Sequence, residues 1–461
     1  MSKLSWRFHE ALLLLIVYLV AGIGFISVTV AGQVRQGLDP APALMAIAAP
    51  LAVVVLVFTT LNVILSLRRV VIEQTILPIT ALLVVIGLVM IWRLRGVDGI
   101  YQQALRGLLP GTVLAAALLL WRPLIERIRR WAVYIGLGGL LLLLLTGLFG
   151  VQDETGARLA LRLGPLPSVQ TTELIKLALI IFLAWYIDRE GRAAEGRART
   201  LLWFRLPGLH YLAPAVAFVG AATLALVAMS DYGAVLILGV LFIAMLYIGF
   251  ETRIFATISA LGLGLALLVG FVLSQTWDVP DTILYRFLAF RNPWSVQLMP
   301  NGLTIAEGPG YQIQQAIYAV IAGGVTGTGL GLGSPSFVPL AHSDFILAAI
   351  VEEMGLAVGV AVLGLYAVVI LRIFRLVLQL PRAQVFERLL VAGIGVHFFA
   401  QAFIMAGGTF NMFPLTGVTL PFLSQGGMAL LVNLIEVGMV LAIAQRVQDL
   451  GGLELQEGHY P

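Results

Sequence analysis

Residues 131–149 read WAVYIGLGGLLLLLLTGLF, with an unbroken run of six leucines and no charge from end to end. A helix needs ~20 apolar residues to cross a hydrocarbon core, and this stretch supplies them. Comparable runs lie outward on both sides, near 10–31, 42–67, 76–92, 108–121, 172–187, 211–229, 232–249, 255–274, 345–371, 389–410 and 423–445. The pattern predicts an all-α polytopic membrane protein with about 12 transmembrane helices. The run 108–121 is short, and its membership rests partly on the alternation of loop charges around it. The first run exceeds the ~7–15-residue apolar core of a signal peptide, so it is read as a retained span.

Composition agrees. Of 461 residues, 60% are apolar and only 11% charged, against about 25% charged in a soluble domain. That excludes an ordinary soluble enzyme and a disordered regulator. The chain has no cysteine, which removes disulfide staples, thiolate zinc sites and a thiol nucleophile. The five histidines show no ligand spacing either, and no zinc site is expected. The net charge of +4 does not point to nucleic acid, because a basic excess in a polytopic chain marks cytoplasmic loops. With the N-terminus inside, nineteen of the 28 basic residues fall on inner loops, eight on outer ones, and Lys176 within a span. Both termini are therefore expected to be cytoplasmic.

The outer segment 276–343 is far longer than a minimal connection and rich in Gly, Pro and polar residues. A loop of that length is uncommon unless functional or disordered. Its semi-apolar stretch 311–321 predicts a re-entrant or interfacial helix. The glycines from Gly323 to Gly333 lack the lysine and strand–helix setting of a phosphate loop and read as a tight turn.

Ionisable groups inside a bilayer are costly, so each is a functional candidate. Glu173 and Lys176, at i and i+3, share a helix face and can pair. Asp231 stands between two spans and reads as a helix N-cap. Asp344 closes the long loop at the outer interface, where a carboxylate suits an N-cap or a general base. Glu352 and Glu353 would lie ~12–14 Å deeper on a continuous helix. Arg158, Arg162, Arg286 and Arg291 run against the charge bias and could hold a diphosphate or anchor to lipid phosphates. Glu436 implies an unidentified internal partner.

Five stretches together resemble the SEDS family of bacterial cell-wall polymerases, to which RodA, FtsW and SpoVE belong. Pro339-Leu340-Ala341-His342-Ser343-Asp344-Phe345-Ile346, followed by Glu352-Glu353-Met354-Gly355, is similar to that family's Pro-x-x-His-Thr-Asp-Phe-Ile-Phe and Glu-Glu-x-Gly run. Gly310-Tyr311-Gln312 with Gln315 and the glycines 323–331 resemble its long outer loop. The run from Pro414 through Ser424-Gln425-Gly426-Gly427 resembles its carboxy-terminal signature. Glu173-Leu174-Ile175-Lys176 and Asp231-Tyr232-Gly233 match two shorter motifs.

The resemblance implies a peptidoglycan glycosyltransferase that polymerises lipid II on the outer face of the cytoplasmic membrane, for cell elongation or division. It implies Asp344 as the catalytic base, with Arg158, Arg286 and Lys176 stabilising the diphosphate. Glu173, Asp231, Gln312, His342, Ser343, Glu353 and Ser424 are its implied substrate-binding or supporting residues. The implied partner is a class B penicillin-binding protein, a transpeptidase. No cofactor is certain. A divalent cation, Mg or Mn, would suit the diphosphate chemistry, though no ligand cluster is legible.

Most members have ten spans, so residues 1–75 read as a two-helix addition to a core over 76–445, with 446–461 as a cytoplasmic tail. Alanine at 160 replaces the family's tryptophan, Met405 an asparagine, Gln425 a tyrosine and Met428 a serine. Two other readings suit the same features: a flippase for lipid-linked precursors, and a non-catalytic scaffold for the transpeptidase.

Overall fold

The computed structural model describes residues 7–70, 73–121, 123–151, 160–161, 169–196, 199–201, 204–206, 212–250, 257, 261–262, 264, 281–299 and 302–457. Helices dominate. In chain order they are α1 Phe8–Arg35, α2 Ala41–Leu44, α3 Ala48–Leu67, α4 Ile76–Gln103, α5 Leu109–Leu120, α6 Pro123–Phe149, α7 Thr171–Gly196, α8 Ala213–Ala228 and α9 Tyr232–Gly249. Then follow α10 Asp281–Arg291, α11 Pro309–Gly323, α12 Ile346–Met354, α13 Leu356–Gln379, α14 Val385–Thr409 and α15 Gly427–Glu457. Two antiparallel ribbons complete the described residues: Ala160–Leu161 with Val169–Gln170, and Arg199–Leu201 with Phe204–Leu206.

The chain is an integral membrane protein of all-α architecture. Eight of its described helical stretches are long and apolar enough to cross a bilayer. One of these, Ile76–Leu120, is interrupted at Gly96, whose φ of 60° and ψ of −146° leave the helical region. Its two arms correspond to the runs expected near 76–92 and 108–121. The run near 211–229 is a shorter apolar helix, α8. The run near 255–274 lies almost wholly outside the described residues.

The buried centre of the bundle is formed by α4, α7, α14 and α15, where Val84, Leu183, Phe398 and Val440 are wholly enclosed. With no hydrophobic drive between helices in lipid, close approach depends on small residues. A Cβ on Gly87 would fall 2.5 Å from the Leu423 carbonyl oxygen and 2.6 Å from its Cα. Both atoms are backbone and cannot swing aside. Gly87→Ala is expected to cost about 1–3 kcal/mol as overpacking, read as a lower unfolding midpoint in detergent. Gly22→Ala, which would meet nothing within 4 Å, should not lower that midpoint.

The described part of the long segment, 281–299 and 302–343, is structured, as expected. It carries α10, α11 and a small core of its own, Ala289, Met299, Ile305 and Ile313. α11 covers the stretch expected to form a helix. One expectation needs correcting. The run 345–371 is not a continuous helix: Gly355, at φ 87° and ψ 162°, separates α12 from α13. Leu356 and Ala357 donate instead to the Gly324 and Val325 carbonyls at 2.9 and 3.2 Å. Glu352 and Glu353 therefore end a nine-residue helix packed against the long loop. The break falls after both glutamates, so they stay on the helix that starts just after Asp344.

Candidate functional site

The turn that carries Asp344 is half-buried and held by its backbone. Ser343 N–H donates to the Leu340 carbonyl at 3.0 Å, and Phe345 N–H donates to the same carbonyl at 3.3 Å. Leu340 takes a φ of 55° to allow this. The helix that follows begins at Ile346 with Phe345 in the N-cap position, and no side-chain oxygen caps it. Asp344 is thus not the N-cap that its position would allow. Its Oδ2 instead lies against Gly417, where an added Cβ would be 3.6 Å away and φ is 70°.

Gly417 belongs to the segment 410–426 between α14 and α15, and this segment assembles the site. Ser424 Oγ donates to the Ser343 carbonyl at 2.6 Å and accepts from Leu420 N–H at 2.9 Å. The Gln425 N–H donates to the His342 carbonyl at 2.8 Å. The family's tyrosine at this position is lost, but the backbone bond does not depend on it. Gln103, buried at the C-terminal end of α4, donates to the Ser424 carbonyl at 3.2 Å and accepts from Gly426 N–H at 3.0 Å. Tyr366 donates to the Pro421 carbonyl.

The other wall comes from α7, α9 and α10. Lys176 Nζ lies 2.7 Å from Glu173 Oε2, so the i,i+3 pair forms as the sequence suggests. Asp231 caps α9 by accepting from Ala234 N–H at 2.9 Å, again as its position suggests. Lys176, Glu173 and Arg286 are the charges that Asp231 senses. Half-buried Arg286 reaches the Leu415 carbonyl at 3.5 Å. A Cβ on Gly233 would sit 2.6 Å from the Thr416 carbonyl oxygen. Leu415, Thr416 and Gly417 are consecutive. Through them Arg286, the start of α9 and Asp344 are brought to one place.

His342 sits at the rim. Arg95 donates from Nη2 to its Nε2 at 3.1 Å, which requires the neutral ring with its proton on Nδ1. Burial, aided by the Arg95 charge, pulls its pKa from 6.5 down to about 4. The unfolded chain therefore takes up this proton between pH 6.5 and 4 while the folded chain does not. Stability should be flat above pH 6.5 and fall as pH drops through that window. Thermal unfolding of the wild type and His342→Gln from pH 7.5 to 4.5 checks this, the variant lacking that part of the slope.

Two expected residues, Gln312 and Glu353, stand elsewhere. Arg158 lies outside the described residues, as does Arg162. Gln312 is half-buried on the first turn of α11 and makes no side-chain hydrogen bond to the Asp344 turn. Its neighbour Gln314 is the one that ties the loop, donating to the Pro293 carbonyl at 2.6 Å. Glu353 braces the glycine turn, which it joins by accepting from Gly331 N–H at 2.9 Å and pairing with Arg93 Nε at 2.9 Å. Glu352 accepts from Ser334 N–H at 2.7 Å. Glu436 has its partner in His397, whose Nδ1 lies 2.9 Å from Oε1, both wholly buried. Arg93 and Arg95 were counted in the sequence only among the outer charges, and Gln103 was not singled out. A glutamine amid apolar residues was the one available signal.

The FtsW/RodA/SpoVE family, described as cell cycle proteins, matches residues 73–449. The chain is 32% identical over 385 residues to peptidoglycan glycosyltransferase RodA of Mycobacterium bovis, covering 81% of this chain and 77% of that one. It is 30% identical over 331 residues to a probable peptidoglycan glycosyltransferase FtsW of Alcanivorax borkumensis, covering 71% and 78%. Its fold resembles a solved peptidoglycan synthase complex that coordinates polymerization and crosslinking, with a TM-score of 0.64, 25% identity, and 82% of this chain and 98% of that one covered. It also resembles RodA of Thermus thermophilus, with a TM-score of 0.55, 25% identity, and 81% and 96% covered. The solved chains share this fold, and the family match spans well over half of the chain's length: the chain belongs to the FtsW/RodA/SpoVE family.

Proposed function

We propose that this chain is a peptidoglycan glycosyltransferase that polymerises lipid II on the outer face of the bacterial cytoplasmic membrane, with both termini inside. The observation that carries the reading is the convergence of Asp344, Arg286 and the Glu173–Lys176–Asp231 group on the 415–417 segment. In the reaction an acceptor sugar hydroxyl attacks the anomeric carbon of a chain bearing a diphosphate. The new C–O bond forms as the bond to the diphosphate breaks. Asp344 takes the hydroxyl proton, and Lys176 and Arg286, with Arg158, offset the charge that develops on the leaving diphosphate. Ser424, Ser343 and His342 hold the Asp344 turn in place. Among the described residues no three His, Asp or Glu side chains converge to hold a metal, so no step is assigned to a bound Mg or Mn. A class B penicillin-binding protein would crosslink the product.

Purified protein in liposomes, with that transpeptidase supplied, should turn labelled lipid II into glycan strands. Vesicles that move labelled lipid II across the bilayer without polymerising it would establish the flippase reading instead. A scaffold would do neither, yet would still bind the transpeptidase.

A further inference from the structure

The family match begins at residue 73, so α1 lies outside it, yet α1 reaches the loop that leads into the Asp344 turn. It packs along α4. A Cβ on Gly24 would meet Val89 Cγ2 at 2.9 Å, and Phe25 and Trp92 stand edge to face with centroids 5.9 Å apart. Trp92 Nε1 donates to Thr29 Oγ1 at 3.0 Å. At the end of this seam, Ala31 and Val28 cover Gly331, where a Cβ would lie 2.7 Å from the Ala31 Cβ and 3.3 Å from the Val28 Cα. Arg35, in the last turn of α1, donates from Nη1 to the Gly333 carbonyl at 3.0 Å.

Arg93 donates to that same carbonyl, also at 3.0 Å, while its Nε pairs with Glu353. A carbonyl oxygen has two lone pairs and can accept both bonds. One guanidinium comes from inside the family segment and one from outside it. The loop they grip has positive φ at Gly324, Gly327, Gly329 and Gly331. Glycines permit that path but also leave the backbone with the most freedom to lose on ordering. From Gly333 the chain passes directly through the 3₁₀ turn Pro335–Phe337 to Asp344.

We propose that Arg35 is a positioning residue for glycan polymerisation, acting through the Gly333 carbonyl to fix the approach of the Asp344 turn. The proposal rests on the polymerase reading above. α1 is then a brace for the reaction centre, and its Val28, Ala31 and Arg35 form the contact that does the bracing.

The test uses the full-length protein in liposomes with its transpeptidase and lipid II. Arg35→Ala is expected to lower kcat about tenfold, the order that one charge-assisted hydrogen bond supports, with KM for lipid II unchanged. Arg35→Lys should recover most of the loss, since an ammonium can donate to the same carbonyl. A second measurement reads the brace itself. The chain has no cysteine, so spin labels attach only at introduced thiols, Gln36→Cys and Ser336→Cys. Their distance distribution should be narrow in the otherwise wild-type chain and broaden with Arg35→Ala. An unchanged kcat overturns the proposal, whatever the distribution does. So does a loss of kcat that Arg35→Lys fails to recover and that tracks a lower unfolding midpoint. If the wild type makes no glycan, the polymerase reading fails, while an unbroadened distribution in Arg35→Ala overturns the brace by itself.

Discussion

Asp344→Asn is expected to reduce glycan formation from lipid II by about 10²–10⁴-fold, the range that a positioned general base contributes. The substitution keeps the size and planarity of the side chain and removes its negative charge and with it the capacity to take a proton. The fold should survive, because the turn is fastened by the His342 and Ser343 carbonyls, which bond to Gln425 N–H and Ser424 Oγ. Gly417 leaves room beside the carboxylate, and the amide fits the same space. Gel analysis of labelled lipid II products reads the rate, and the unfolding midpoint in detergent reads the fold. A variant that polymerises at the wild-type rate would move the base to another carboxylate of the site, with Asp231 and Glu173 next to be changed.

The second large effect concerns Glu353. Its side chain is fully buried against Arg93, and both oxygens are used, one by the guanidinium and one by Gly331 N–H. Removing one partner of a buried ion pair costs about 3–5 kcal/mol, because the other charge is left without compensation. Glu353→Ala should therefore lower the unfolding midpoint more than Gly87→Ala does, and should abolish activity by releasing the glycine turn that precedes Asp344. Arg93→Ala should do nearly the same. The double variant is expected to cost clearly less than the sum of the two, since each removes the same interaction. An additive double variant would show that the pair is not coupled and that Glu353 acts through Gly331 alone.

These two residues differ in how far local sequence could place them. Asp344 was marked as chemistry by its motif, and its location followed from where the apolar run resumes. Glu353 was grouped with the same motif as a supporting residue, but its partner lies 260 residues earlier. The Glu436–His397 pair, 39 residues apart, was invisible for the same reason. By contrast, the Glu173–Lys176 pair and the Asp231 cap depend on helical spacing alone, and both appear as read.

The break at Gly355 shows the other limit. The apolar run resumes at once after Glu352-Glu353-Met354-Gly355, and nothing in its composition gives the new direction of the chain. It is set by the Leu356 and Ala357 N–H groups, which bond to the Gly324 and Val325 carbonyls. The sequence by itself determined that the chain spans a membrane, because the length and polarity of a segment decide its partition into lipid without reference to any neighbour. It also determined the local helix caps and i,i+3 pairs. Only the tertiary structure decided that residues 410–426 fold back between the helices to gather Arg286, the start of α9, Gln103 and the Asp344 turn. The bonds that do this are mostly to backbone carbonyls and N–H groups. Every residue carries those groups, so side-chain identity could not announce them, and only packing geometry selects which of them meet.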